Sequence, residues 1–266
     1  MQNTGNNKPS HTQLANTLPD GLVVTRKWLK EKGFNRTAVD YYVRSGKLVS
    51  VGRGAYRRPG PPLKWEHLVY SLQESGYTVH VGGRSALDHQ GMAHYLPLGG
   101  IQAVELYGMT KLPGWLGKPD SSVRLNARGN AGFNKLPDDA LTTIPFGHWD
   151  WLLKFSTMEL ALFELLDDLN DESGFSLADK YFESATVLRP QLLNSLLERC
   201  KRIRTKRLFL WFADRHRHQW LKKINKEVVD LGSGKRMIAK SGALDKIYKI
   251  TVPRSMAGDK DAENFF

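Results

Sequence analysis

The sequence predicts an α+β protein in which an N-terminal winged helix-turn-helix unit precedes a larger, mixed α/β C-terminal domain. Three observations carry that prediction. Residues 22–60, LVVTRKWLKEKGFNRTAVDYYVRSGKLVSVGRGAYRRPG, order a helix, a tight turn, a second helix and a basic hairpin. A stiff Pro59-Gly60-Pro61-Pro62 break follows. Beyond it, short alternating runs give way after Ser156 to apolar residues at helical spacing. With 266 residues, 41% of them hydrophobic, the chain suits two domains and can bury a sizeable core.

The first helix is expected over Arg26 to Lys32, with Thr25 as its N-cap and Trp28 and Leu29 on its apolar edge. Gly33 suits the position after the helix, where a positive φ is cheap without a Cβ. Phe34 plugs the turn, and Asn35 caps a second helix starting near Arg36. In that helix Val39, Tyr42 and Val43 recur at i, i+3, i+4 and mark the buried face. The opposite face carries Arg36, Thr37, Asp40, Tyr41 and Arg44, and Gly46 ends the helix. Lys47 to Val51 alternates like a strand, Gly52-Arg53-Gly54 turns, and Ala55 to Arg58 returns before Pro59.

Charge gives this segment a partner. Between Asp20 and Lys64 there are eleven Lys or Arg against three acids, a local net charge of +8. That is the electrostatic footprint of a phosphate-binding surface. Lys and Arg supply affinity that is blind to sequence, whereas side chains on a groove-facing helix read bases. The expected DNA-contacting residues are therefore Arg36, Thr37, Asp40, Tyr41 and Arg44 on the helix, with Lys47, Arg53, Arg57 and Arg58 on the wing. The domain is expected to span 18–62, after a disordered tail at 1–17.

The C-terminal domain is expected over 63–255, with a flexible tail at 256–266. It opens with a helix from Trp65 to Ser75 and a short strand from Tyr77 to Val81. Ser85 to Gly91 reads as a short helix with Ser85 as its cap. Strands are expected at 101–108, 122–127 and 141–146, making a small mixed sheet. Ser156-Thr157-x-Glu159 resembles a capping box opening a helix, and further helices are expected at 176–183 and 189–203. A second basic cluster, Arg199–Lys223, holds ten Lys or Arg against one acid, with Phe209, Trp211, Phe212 and Trp220 interleaved. Leu208, Leu210, Trp211 and Phe212 are read as core. Lys201, Arg202, Arg204, Lys206 and Arg207 are read as a basic edge that serves either nucleic acid, an acidic partner or solubility.

Composition narrows the class. A net charge of +12 and a sequence pI near 9.7 call for a polyanion, with nucleic acid ahead of an anionic membrane because no long apolar span or lipidation signal is present. A single cysteine, Cys200, excludes an internal disulfide framework and cysteine-rich zinc sites. The polar start, MQNTGNNKPSHTQ, has no apolar h-region, and a cytoplasmic location is expected.

The hairpin GKLVSVGRGAYRRPG, the following helix, and then VGGRSALDHQGM and VELYG together resemble the AbiEi-type antitoxins of type IV toxin–antitoxin, or abortive infection, systems. The resemblance spans most of residues 20–250 and favours the subgroup with a separate N-terminal winged helix. It implies that the N-terminal domain binds inverted repeats in its own promoter and represses transcription. It also implies that the C-terminal domain counteracts a nucleotidyltransferase-like toxin without need of a stable complex. The positions that match the family's DNA contacts are Arg36, Thr37, Tyr41, Arg44 and Arg53.

No comparable pattern points to catalysis, to a metal or to a cofactor. Asp167-Asp168 and Asp171-Glu172 sit at a helix end and read as surface charge. His216 and His218 are two apart, which on a helix points them away from each other. Leu231-Gly-Ser-Gly-Lys235 lacks the upstream glycine and the Ser/Thr of a phosphate loop. Glu105 lacks the lysine partner of a restriction-type nuclease, and Ser85, His80 and His89 have no nucleophile elbow. Two other readings stay open at this point: a nucleic-acid-processing enzyme that docks through the winged helix, and an interaction module that binds its toxin directly.

Overall fold

Two apolar cores meet along one strand of the N-terminal sheet. The computed structural model describes residues 11–92, 101–116, 123–147 and 150–257. The first part runs α1 (His11–Thr17), β1 (Val24–Thr25), α2 (Arg26–Glu31), α3 (Arg36–Arg44), β2 (Val49–Gly52) and β3 (Ala55–Arg57). Its strands form an antiparallel sheet in the order β1-β3-β2. Both caps expected from the sequence form: Thr25 Oγ1 accepts from the Trp28 amide and Asn35 Oδ1 from the Ala38 amide. Leu29, Phe34, Val39, Tyr42, Leu48 and Tyr56 fill the core between helices and sheet. Val43, expected on the buried face, is 36% exposed instead.

Part of the segment expected to be a disordered tail is ordered. Residues 11–17 form α1, and Leu14 and Leu18 lie in the same core as Leu29 and Tyr42. The two leucines are four apart, one helical turn, so even a polar segment buries a narrow stripe. Residues 1–10, and most of the C-terminal tail, lie outside the described residues.

The larger part opens with α4 (Trp65–Glu74), β4 (His80–Val81), α5 (Gly83–Leu87), β5 (Ala103–Tyr107), β6 (Arg124–Ala127), β7 (Leu141–Phe146) and β8 (Trp151–Ser156). The sheet order is β6-β5-β4-β8-β7. Pairs β5–β6 and β4–β8 are parallel, while β4–β5 and β7–β8 are antiparallel. Strand β8 was not expected. Trp151, Leu153 and Phe155 face inward, but Leu152 between them is apolar and yet 54% exposed, which erases the alternation a strand normally prints in sequence.

The helical half is α6 (Met158–Asp167), α7 (Glu172–Ser184), α8 (Pro190–Arg199) and α9 (Ile203–His216), followed by the hairpin β9 (Ala243–Asp245) and β10 (Ile250–Val252). The helix expected at 189–203 stops at Arg199, where Cys200 turns extended, and α9 starts anew at Ile203. The capping box expected at 156–159 does not form. Thr157 Oγ1 is buried without a partner among the described residues, and Glu159 turns to Arg189, whose backbone amide and guanidinium it accepts from at 2.8–3.0 Å.

Strand β3 joins the two parts. Successive side chains alternate across it, so Ala55 belongs to the larger core and Tyr56 to the smaller. Gly52, at the end of β2, lies so near the 114–116 turn that a Cβ there would meet the Trp115 carbonyl oxygen at 2.4 Å. The Val23 amide donates to Ser71 Oγ on α4 at 2.9 Å, and Trp151 of β8, stacked on Tyr70 at 4.2 Å, lies in the smaller core. The Pro-Gly-Pro-Pro break is thus bridged by packing.

Candidate nucleic-acid interface

The solvent side of α3 is where the sequence places its DNA-facing residues. The Arg36 side chain is 84% exposed, Tyr41 is 47% exposed, and Thr37 and Arg44 are exposed beside them. The Asn35 cap and the Val39–Tyr42 anchor fix which way this face points. Arg53 stands exposed at the hairpin tip between Gly52 and Gly54, and half-buried Lys47 holds its ammonium 5.8 Å from the Tyr41 ring centre. Arg36, Thr37, Tyr41, Arg44 and Arg53 therefore remain outward-facing in the fold.

Three other expected contacts have structural work. Asp40 is a hub: it pairs with Arg26 at 3.2 Å and Arg36 at 3.7 Å, and its carbonyl accepts from Arg44 Nε at 3.3 Å. Arg26 also donates to Tyr56 Oη at 2.7 Å, which ties α2, α3 and β3 together. Arg57, expected to be exposed on the wing, is buried and donates to the carbonyls of Gly60 and Pro61. Arg58 pairs with Asp20 at 3.0 Å. Arg57 thus fastens the chain where the proline break leaves carbonyls without strand partners, while Arg58 also reaches back to the Leu18 carbonyl at 3.4 Å.

The basic edge expected on Lys201, Arg202, Arg204, Lys206 and Arg207 is mostly not an edge. Residues Thr205 to Ala213 of α9 are all buried, because α6, α7 and the 231–250 segment pack around that helix. Leu208, Leu210, Trp211 and Phe212 are core as expected. Lys206 is buried, and Arg207 is 1% exposed. Arg204 is half-buried and donates to the Asp167 carbonyl, and Arg202 pairs with Asp167 at 2.9 Å. Lys201 and Arg202 stay exposed, so spacing alone overstated the surface charge here.

Arg207 has a role that its sequence position did not signal. Its Nε donates to Leu231 O at 2.7 Å, Nη1 to Gly234 O and Lys249 O, and Nη2 to Gly232 O and Ser233 O. Five carbonyls solvate one guanidinium, and no carboxylate faces it among the described ion pairs.

Gly83 of the segment VGGRSALDHQGM joins His80 and Ser156 in a second polar cluster around Glu164, a buried carboxylate in the middle of α6. Glu164 meets His80 Nε2 at 2.7 Å and accepts from the Gly83 amide at 2.8 Å and Ser156 Oγ at 2.6 Å. The sequence signal for it is slight: an acid set between Leu162-Phe163 and Leu165-Leu166 on a helix. Ser85, expected as a cap, lies inside α5 and accepts the Glu105 amide at 3.0 Å. His89 stacks on Phe155 at 4.8 Å.

The acids at 167–168 are not free surface charge as expected. Tyr107, Thr110, Arg128, Asp167, Asp168 and Arg202 line a cleft of about 300 Å³. Arg128 bridges Glu105 at 2.6 Å and Asp168 at 3.0 Å. Burial pushes the carboxyls of Asp167 and Asp168 upward, and the facing arginines oppose it. Asp171 caps α7 through the Gly174 amide. Among the described residues no group of three or more His, Cys, Asp or Glu is disposed to hold a metal, and no helix is long and apolar enough to cross a membrane.

The family comparisons agree with this two-part build. Residues 7–98 match the model of the AbiEi antitoxin N-terminal domain, and residues 102–253 match that of the AbiEi antitoxin of type IV toxin–antitoxin systems. Both models describe transcriptional regulators, which gives the class. The chain belongs to the AbiEi antitoxin family of type IV toxin–antitoxin systems. Its fold is similar to the crystal structure of the RV2827C protein from Mycobacterium tuberculosis, with 16% identity and a TM-score of 0.51 over 90% of this chain and 88% of that one. No curated protein matches the chain.

Proposed function

We propose that this antitoxin binds double-stranded DNA in its own promoter through a winged helix and represses transcription, and that its larger domain counteracts a nucleotidyltransferase-like toxin without catalysis of its own. The observation that carries the DNA reading is the outer face of α3. Arg36, Thr37, Tyr41 and Arg44 stand exposed on a helix capped at Asn35 and anchored by Val39 and Tyr42, with Arg53 exposed at the hairpin tip. A side chain on such a helix reaches base edges in the major groove, and a hairpin arginine reaches a phosphate or the minor groove. Asp40 is held by Arg26 and Arg36, so its charge is offset where a polyanion would approach. The non-enzymatic reading is supported by the arginine facing each clustered acid: Arg128 for Glu105 and Asp168, and Arg202 for Asp167.

The test is a mobility shift of the full chain on the DNA upstream of its own gene, beside unrelated DNA and an Arg36→Ala/Arg44→Ala variant. A specific shift is expected, weakening with salt, and each base-reading arginine removed should cost about 1–3 kcal/mol. Equal affinity for unrelated DNA would overturn autorepression.

A further inference from the structure

The carbonyl cage around Arg207 fixes a basic surface at the other end of the chain from α3. Leu231, Gly232, Ser233 and Gly234 are consecutive, and all four turn their carbonyls to the same guanidinium. In a planar trans peptide the N–H points opposite to the C=O. The amides of residues 232–235 therefore point away from Arg207, toward solvent. Asp230 accepts from the Gly232 amide at 2.8 Å, and no protein acceptor is recorded among the described residues for the amides of Ser233, Gly234 and Lys235. The turn needs its glycines, since Gly232 and Gly234 sit at φ 59° and 62°.

Cations crowd this turn. Residues 232–237 are all exposed, and Lys235 and Arg236 are among them. The Arg236 amide donates to Lys249 O at 2.8 Å, which sets the exposed Lys249 alongside. Lys240 and Arg254 are exposed nearby in sequence, and from 231 to 257 the only acid is Asp245, which caps the Tyr248 amide. Arg207 adds a buried positive charge with no acid facing it, and Arg236 is close enough to be felt by it.

We propose that this knuckle, built on residues 232–236 and Lys249, is a second DNA-contacting surface that grips the phosphate backbone without regard to sequence. The proposal rests on the DNA-binding reading above. Its argument is one of complementarity. With the carbonyls of residues 231–234 drawn inward, the outer face offers the amides of residues 233–235, the Lys235 and Lys249 ammoniums and the Arg236 guanidinium, beside the Asp230 carboxylate that holds the Gly232 amide and the Lys235 carbonyl that accepts from Arg236 Nη1 at 3.2 Å. A phosphate backbone offers acceptors alone, whereas a protein surface offers donors too. The cage also holds the turn in one shape before DNA arrives, which removes part of the ordering cost of binding. Arg207 is then a positioning residue, and Lys235 and Arg236 are the contacts.

The experiment compares the full chain with a Lys235→Ala/Arg236→Ala variant on promoter and unrelated DNA across a salt series. Both side chains are exposed, so folding is checked simply by circular dichroism and melting. Losing two phosphate contacts should flatten the slope of log K against log salt by about 1.8 and weaken binding to both DNAs about tenfold, with the preference between them unchanged. An unchanged slope and affinity in the variant, while the unaltered chain still binds, overturns the knuckle and leaves the α3 reading standing. No DNA binding by the unaltered chain overturns both. Met237 and Ile247, 79% and 78% exposed beside the cations, would suit a protein interface. Full DNA affinity with lost toxin neutralisation in cells would therefore reassign the surface to an acidic protein and overturn the nucleic-acid proposal.

Discussion

Residues 26–58 and 199–223 are alike as strings, each dense in Lys and Arg with aromatics between, yet their cations are used in opposite ways. On α3, Arg36 and Arg44 stand outside a small core, engaged by Asp40 on the same helix. Along α9 the chain is packed from several sides, so Lys206 and Arg207 are taken inside with the aromatics. The difference lies in what surrounds the helix. An amphipathic helix on a small domain must show one face to water, whereas a helix enclosed by two others and a loop must bury whatever it carries. A buried arginine then survives only by finding carbonyls or a carboxylate.

The comparison is broken most severely at Arg207. Arg207→Met leaves four carbonyls without their donor, Lys249 O keeping the Arg236 amide, and should cost about 3–5 kcal/mol in a denaturant melt, whereas Arg36→Ala/Arg44→Ala should leave stability within about 0.5 kcal/mol. Equal losses for the two variants would mean that the cage is not a folding element. Next in size is Gly52→Ala, which must displace the Trp115 backbone or bend the hairpin. About 1–3 kcal/mol of stability should go with it, together with a loss of DNA affinity at a residue that need not touch DNA. Retained affinity with full stability would show that the hairpin accommodates the methyl freely.

Smaller again is the pH dependence of Asp167. Burial raises its carboxyl above the ordinary value of 3.8, and Arg202 pulls the other way without winning. A raised carboxyl contributes stability below its unfolded pKa and loses it as pH rises through its folded pKa. Melting temperatures of the unaltered chain and of Asp167→Asn, taken from about pH 3 to 7, should therefore diverge steadily. The unaltered chain should lose ground as pH rises, and a constant gap would contradict the burial argument. The smallest effect belongs to the exposed face: Asp40→Ala removes two half-exposed pairs and should move stability by about 0.5 kcal/mol. Its larger consequence should be tighter, less selective DNA binding, measured as a higher affinity for unrelated DNA.

How much could be read from sequence follows the same division. The caps Thr25 and Asn35, the turn at Phe34 and the exposed set on α3 were legible because local spacing decides them. The roles of Arg57 and Arg58 were not, since a strand-end arginine looks the same whether it faces water or the carbonyls of the next turn. Glu164 and Arg207 were hidden for a related reason: a buried charge is identified by its partners, and those lie 81–84 residues away for Glu164 at Gly83 and His80 and 24–42 away for Arg207. Strand β8 was missed because exposed Leu152 breaks its alternation. Helix α1 was missed because two leucines in a polar segment are a faint stripe.

The alternation of Ala55 and Tyr56 across β3 bears on how this chain can change over generations. A chimera that joined residues 1–58 to the remainder of another family member would set Ala55 against a wall shaped for a different neighbour. A one-residue insertion in the hairpin would send Tyr56 toward a space that fits a methyl group. The two halves are therefore expected to be inherited as one cassette, with recombination tolerated outside them rather than at the prolines between them.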